Sequence, residues 1–265
     1  ASLSQTGQIL WKTELEYNHG NGAGGSPVLF RDLLIVNCDG TDVQYVVALD
    51  KHSGEIRWKS HRKGRMAYST PLMIRTKGKD QLVSVGGDRV VGYEPLSGKE
   101  IWWVHFNGFS NVPRPVFGQG LVFICSGYQT SRLYAVQPEG KGDVTKSHVS
   151  WSRRRGVPNN PSPLLVDEEL YLVSDQGIAT CLKAKTGDVL WRARLKGNFS
   201  ASPVYVEGRI YFLNENGETT VVAAGTQFKK LCTNKVEGRT LASIAISGQS
   251  LYLRTEQHLY RIRKR

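Results

Sequence analysis

The sequence has no run of about 18 apolar residues, and so nothing of the kind that crosses a bilayer as a helix. Its cysteines never come in pairs. Cys38, Cys125, Cys181 and Cys232 stand alone, without a CxxC, CxxCH or vicinal arrangement, which excludes metal-ribbon, c-type haem and vicinal-disulfide chemistry. Each sits beside apolar strand residues, as in Phe123-Ile124-Cys125, and reads as a small buried hydrophobe. No GxSxG or HExxH motif is present, and His19, His52, His61, His105, His148 and His258 lie scattered without ligand spacing, so no metal site is expected. Residues 1–8 lack the basic head and apolar stretch of a secretory signal, as they would also after its removal. Methionine is scarce, 2 residues against 28 glycines and 10 prolines, a balance that suits short strands and tight turns.

What is plentiful is positive charge and repetition. The formal net charge of +12 favours anionic partners without choosing among acidic glycans, phospholipid headgroups and nucleic acid. A Ser-Pro followed by an apolar pair recurs at Ser26-Pro27, Thr70-Pro71, Arg114-Pro115, Ser162-Pro163 and Ser202-Pro203, and a sixth copy, Ser243-Ile244-Ala245-Ile246, has lost its proline. The prolines step by 44, 44, 48 and 40 residues, and Ile244 follows Pro203 by 41. A period in the forties is that of one four-stranded propeller blade.

Each unit repeats one internal order. An apolar strand such as Ile210-Tyr211-Phe212-Leu213 is followed by a polar turn such as Asp175-Gln176-Gly177, then a third strand such as Tyr45 to Leu49, then a Ser/Thr-Gly hairpin. A tryptophan lies four residues past that glycine: Gly7 to Trp11, Gly54 to Trp58, Gly98 to Trp102 and Gly187 to Trp191. Trp151 and Phe228 are expected to fill the slot in the two irregular units. The glycine accepts the positive φ a tight hairpin needs, and the ring, burying ~150–250 Å², is expected to cover the seam between neighbouring blades. The structural tryptophans are therefore Trp11, Trp58, Trp102, Trp151 and Trp191.

The run Ala48-Leu49-Asp50-Lys51-His52-Ser53-Gly54-Glu55-Ile56-Arg57-Trp58 resembles the Ala-x-Asp-x-x-Ser/Thr-Gly-x-x-x-Trp motif of PQQ-like (quinoprotein-like) propeller repeats, and Thr186 to Trp191 keeps its second half. The likeness covers essentially the whole chain, residues 1–265, as one domain, and looks close to PQQ-like proteins of Planctomycetes-type bacteria. It implies an all-β propeller. The expected architecture is six four-stranded blades closed by strand exchange, with Gln8 to Glu14 as the outer strand of the last blade. The alternative is six repeats of an eight-bladed propeller.

Links from each outer strand to the next inner strand share one face with the turns between second and third strands. That face is basic: His61 to Arg65, Arg153-Arg154-Arg155, Arg192, Arg194, Lys196, Lys229, Lys230 and Arg239 lie on or beside it. The candidate ligand-binding residues are His19, Arg65, Tyr68, Phe109, Arg114 and Asn160, a set of cations, amides and rings suited to an anionic or carbohydrate-like ligand. The same residues read equally as a solvated rim. Asp39, Asp88 and Asp175 occupy equivalent turns and are expected to satisfy turn amides. The tail Arg261 to Arg265 reads as a frayed charged end.

The resemblance also raises the PQQ-dependent dehydrogenases, which hold the quinone with a cysteine pair, a stacking tryptophan and groups on Ca²⁺. The cysteine pair is missing, the tryptophans are used by the repeat, and the longest insertion runs only from Gln137 to His148. No cofactor is therefore expected, neither PQQ nor Ca²⁺, and no catalytic residue is assigned. The expected function is a non-catalytic binding or scaffolding module for a protein partner or anionic glycan. The alternatives are a PQQ-dependent enzyme, or a polysaccharide-active enzyme with His19, Arg65 and Tyr68 at the propeller mouth. Nucleic acid is disfavoured, because no recognition helix or RNP-like aromatic pair accompanies the cations. The family includes a barrel-assembly lipoprotein, which implies protein scaffolding, a periplasmic or other extracytoplasmic site, and a monomer.

Overall fold

Hairpins dominate the chain because turn chemistry recurs on schedule. The turn joining an inner strand to the second is built from Lys77-Gly78, Gln119-Gly120 or Glu207-Gly208, with positive φ at both residues of each pair, the type I′ geometry that matches strand twist. In the computed structural model, residues 1–128 and 131–263 are described, and they form strands without a helix. Lys264 and Arg265 of the basic tail lie outside the described residues.

Among the described residues, six sheets follow the two-stranded pair Ser2–Leu3 and Ile9–Trp11, with strands paired antiparallel in chain order except for one added parallel strand in the second. The first comprises Val28–Phe30, Leu33–Asp39, Gln44–Asp50 and Ile56–His61, and the second Leu72–Thr76, Lys79–Val85, Arg89–Tyr93 and Glu100–His105. The third, fourth and fifth repeat this order from Val116, Leu164 and Val204. The sixth has three strands, Ala245–Ser247, Ser250–Arg254 and Leu259–Arg263. In the first five sheets the second and third strands are largely buried on both faces, and so read as continuous apolar runs such as Tyr45 to Leu49, whereas the third strand of the sixth sheet is exposed. Outer strands such as Ile56–His61 are largely exposed.

Register repeats with the sequence. Val28 pairs Ile35, which pairs Ala48, which pairs Trp58, and the same positions in the fourth sheet are Leu164, Tyr171, Cys181 and Trp191. In the fifth sheet they are Val204, Tyr211, Val221 and Cys232. The tryptophan slot there is thus held by exposed Cys232, not by Phe228, whose ring instead meets Trp191 at 5.2 Å between centroids. Phe228 was the aromatic at hand in the sequence, but it lies in the turn before the outer strand, four residues ahead of the slot.

The seams use the tryptophans in a fixed way. The indole N–H of Trp11, Trp58, Trp151 and Trp191 donates to a carbonyl of the next sheet's third-to-outer turn, at Lys51, Pro95, Ala184 and Gly225, each at 3.0 Å. Trp11, Trp58 and Trp151 lie against Gly54, Gly98 and Gly187, where an added Cβ would overlap the indole. Trp102 differs. The insertion after the third strand of sheet three replaces the glycine turn, and the Trp102 N–H donates to Gln81 at 2.8 Å, while Gln81 donates to the Pro138 carbonyl. The insertion continues as Gly142–Asp143, a short strand paired in parallel with Trp102 and Trp103 on the outer edge of sheet two.

A second set of stitches runs along the inner strands. The backbone N–H of Ser26, Arg114, Ser162 and Ser202 donates to the hydroxyl of Thr70, Ser162, Ser202 and Ser243 in the following sheet, each at 2.9 Å. The Ser of the Ser-Pro repeat is therefore a seam residue.

Strand exchange between the chain ends is not the pairing found. Ile9–Trp11 pairs with Ser2–Leu3, by the same contacts (Ser2 with Trp11, Leu3 with Ile9) that the first sheet makes between its third and outer strands. That partner occupies the edge Leu259–Arg263 would need, and among the described residues Leu259–Arg263 pairs only with Ser250–Arg254.

Two outcomes follow. Trp58→Ala should lower stability by about 3–5 kcal/mol in denaturant unfolding, whereas Trp58→Phe, which loses mainly the N–H bond, should cost much less. Asp50 accepts from His52 N, Ser53 N and Arg57, and the Arg57 guanidinium holds its carboxyl far below the usual range. Its contribution is present above the unfolded value near about 4 and is lost as pH falls below it, so Asp50→Asn should flatten the acid limb of a stability–pH curve.

Candidate binding face

The basic face is organised by carboxylates in the turns between second and third strands. Asp88 accepts two bonds from Arg65, at 2.9 and 2.6 Å, and its backbone bonds Gly108 and Phe106 in the link that leaves the same sheet. Asp175 accepts from Asn159 N at 2.7 Å and from both nitrogens of Asn160. Glu215 accepts from the Ser200 hydroxyl at 2.6 Å, and Glu256 faces Arg239 at 3.6 Å. In each case an acid on the turn clasps the link entering its own sheet.

Asp39 makes the strongest variant. It is paired with Arg62, both side chains being 1% exposed, and Arg62 also donates to the Ser84 hydroxyl at 2.7 Å. Ser84 donates to Asn37 at 2.8 Å, and Asn37 to the Ser69 carbonyl at 2.8 Å, so the network ties sheet one to sheet two. Burial pushes the Asp39 carboxyl above its usual range, and the Arg62 guanidinium beside it pulls the other way. The turn acids were expected to satisfy amides of their own turns; instead Asp88 and Asp175 accept from amides of the links, at Gly108, Asn159 and Asn160, and Asp39 accepts from Arg62. The guanidinium partner was not legible, because Arg62 lies 23 residues from Asp39 in a link that reads as solvated.

The structure distributes the predicted residues as follows. Arg65 lies over the Phe109 ring at 4.5 Å, and its guanidinium is already held by Asp88 and Asn107. Tyr68 accepts from Asn21 at 3.1 Å and lines, with His19, a cavity of about 10 Å³, room for one water rather than a ligand. Arg114 takes the serine position of an inner-strand stitch, and its side chain is exposed. Asn160 is held by Asp175. Arg65 and Phe109 are thus brought together, His19 and Tyr68 share one small cavity, and Arg114 and Asn160 belong to other sheets.

Arg114 has no ion-pair partner among the described residues, and further cations of this face share that condition. Arg153, Arg154, Arg155, Arg192, Arg194 and Lys196 stand at the loop-face ends of sheets three and four, and among the described residues none has a carboxylate within 4.0 Å. Burial, with Arg192 and Arg155 close by, pulls the Arg153 pKa below its usual value. Like charges crowded without a counter-charge raise the local positive potential. A groove of about 710 Å³ also opens on this face between sheets one and two, lined by His61, Lys63, Trp103 and His105 among others.

The donors for a quinone held on Ca²⁺ are not assembled. Cys38, Cys125 and Cys181 are buried in separate sheets, and no three His, Cys, Asp or Glu side chains converge among the described residues. Trp11, Trp58, Trp102, Trp151 and Trp191 are committed to seams, and Trp103 lines the groove between sheets one and two.

A family model described as outer membrane protein assembly factor BamB, PQQ_2, matches residues 1–75 and 69–265. No curated protein matches the sequence. Among solved structures, BamB from Moraxella catarrhalis is similar at 15% identity and a TM-score of 0.51, over 88% of this chain and 82% of that one. Quinohemoprotein alcohol dehydrogenase from Comamonas testosteroni shares 14% identity with a TM-score of 0.57, over 83% of this chain and only 43% of the enzyme. The computationally designed Ika8 protein gives a TM-score of 0.67 at 10% identity, over 90% of this chain and 70% of that one. Identities this low establish the fold.

Asp39→Ala, which strands a buried guanidinium, should destabilise by about 3–5 kcal/mol, while the paired change Asp39→Leu with Arg62→Met should recover most of that loss in chemical denaturation. Burial raises the thiols of Cys38, to about 11, and of Cys125 and Cys181. A maleimide at neutral pH should therefore label the native protein once, at Cys232, and four times after unfolding.

Proposed function

The chain belongs to the PQQ-like propeller family described as outer membrane protein assembly factor BamB, and from that premise we propose that it is a non-catalytic scaffold that binds an acidic partner through its loop face. The observation that carries this reading is the free guanidinium patch around Arg153 and Arg192, set beside turn acids already consumed by clasps. An acidic protein surface suits it best, because the patch is spread over two sheets; an anionic glycan shares the chemistry. A relative that is an assembly factor agrees with scaffolding, and with an extracytoplasmic site of action. No redox or hydrolytic role is proposed.

The sheets themselves read best as an arc of a larger ring. Ser2–Leu3 fills the edge that ring closure would use. Ile262 is 45% exposed, whereas Leu182 and Val222 at the same register are 0% exposed. The accessible surface of 13,996 Å² exceeds the roughly 11,500 Å² of a compact monomer of this mass.

Binding is read with fluorescent polyglutamate and with heparin across a salt series. Affinity should fall steeply with salt, and Arg153→Glu with Arg192→Glu should weaken it at least tenfold and flatten the slope. Salt-insensitive binding, or an unchanged double variant, contradicts the reading. For the arc, Leu259→Glu with Ile262→Glu should shift unfolding by no more than about 0.5 kcal/mol per site, whereas a closed ring would bury both charges and lose several kcal/mol.

A further inference from the structure

The opposite face, where inner strands turn into second strands and third strands into outer ones, carries a pocket of about 680 Å³. It is walled by the insertion between the third and outer strands of sheet three. Val144 N donates to the Trp103 carbonyl at 2.9 Å, and Lys77 meets Glu139 at 2.7 Å, so the insertion is pinned beneath sheet two and walls off the gap between sheets one and two. Phe30, Leu96, Ile101 and Pro138 supply an apolar floor, and Leu96 remains 51% exposed at its edge.

The charges around this floor are unequal in availability. Glu139 is held by Lys77 and Asp80 by Arg75 at 3.1 Å, while Glu94 accepts from Leu96 N and Ser97 N at 3.1 and 2.7 Å. Lys79 and Lys141 are exposed and have no ion-pair partner among the described residues. Every carboxylate lining the pocket is engaged, and two ammonium groups are not.

We propose that this pocket docks a linear peptide segment of a protein partner, placing a bulky apolar side chain against Phe30, Leu96 and Pro138 and an adjacent Asp or Glu between Lys79 and Lys141. The volume fits one large side chain with its neighbours, and a recognition element of one apolar anchor plus a charge pair is common in protein contacts. This contact lies on the other face from the guanidinium patch and is independent of it.

The test is fluorescence polarisation with labelled peptides SGFLEDSG, SGFLKRSG and SGSSEDSG. SGFLEDSG alone should bind the unaltered chain. Leu96→Glu should weaken it at least tenfold, and Lys79→Glu with Lys141→Glu should do the same while allowing SGFLKRSG to bind. The exposed positions of all three substitutions should leave the unfolding curve unchanged, and that curve is measured for each variant. Arg153→Glu with Arg192→Glu should leave peptide binding intact, which separates this site from the loop face. Equal binding of SGFLEDSG and SGFLKRSG, no binding at millimolar peptide, or loss only in the loop-face variant overturns the proposal.

Discussion

The tryptophan that reaches from one sheet onto the next sheet's hairpin turn is the contact on which the rest of the molecule depends. A blade of four strands has two apolar faces and cannot bury both alone. The indole closes the outer end of the seam while its N–H satisfies a turn carbonyl, and the glycine beneath it leaves room for the ring. Inner-strand stitches such as Ser162 to Ser202 close the other end. Between these two fastenings the second and third strands stay dry, which is why Tyr45 to Leu49 is apolar without alternation. Where the turn glycine is replaced, between sheets two and three, the seam is re-made through Gln81 and the insertion, and that departure creates the pocket on the opposite face.

Fixing the seams also fixes the loop face. Turn acids hold the links between sheets, so Asp88 and Asp175 spend their charge on structure and take Arg65 and Asn160 with them. What is left over is informative. Among the described residues the guanidiniums at Arg153 and Arg192 have no such partner, and Arg153 lies close to Arg155 and Arg192. Recognition in this account comes from residues the fold does not consume.

Much of the fold was legible in sequence because the repeat is local: a glycine turn and a tryptophan four residues later obey short-range geometry. Features set by pairing between distant segments were not. Cys232, not Phe228, sits opposite Val221 in the tryptophan slot, and Phe228 lies in the turn before that strand. Cys232 also departs from the buried setting expected of all four cysteines, being exposed on an outer strand. The closure expected at Gln8 to Glu14 ignored Ser2–Leu3, too short to announce itself as a strand. Arg65 and Tyr68 have ligand-like chemistry, and only coordinates reveal that Asp88 and Asn21 already use them. The insertion from Gln137 to His148 looked too short to matter, yet it walls a pocket.

The most direct test of the central claim, that binding falls on the cations the seams and clasps leave free, is hydrogen–deuterium exchange of the chain with and without polyglutamate. The account predicts added protection confined to residues 152–156 and 190–197, with the second and third strands of the sheets unchanged. Protection centred instead on residues 17–25 and 65–69, around His19 and Tyr68, would contradict it.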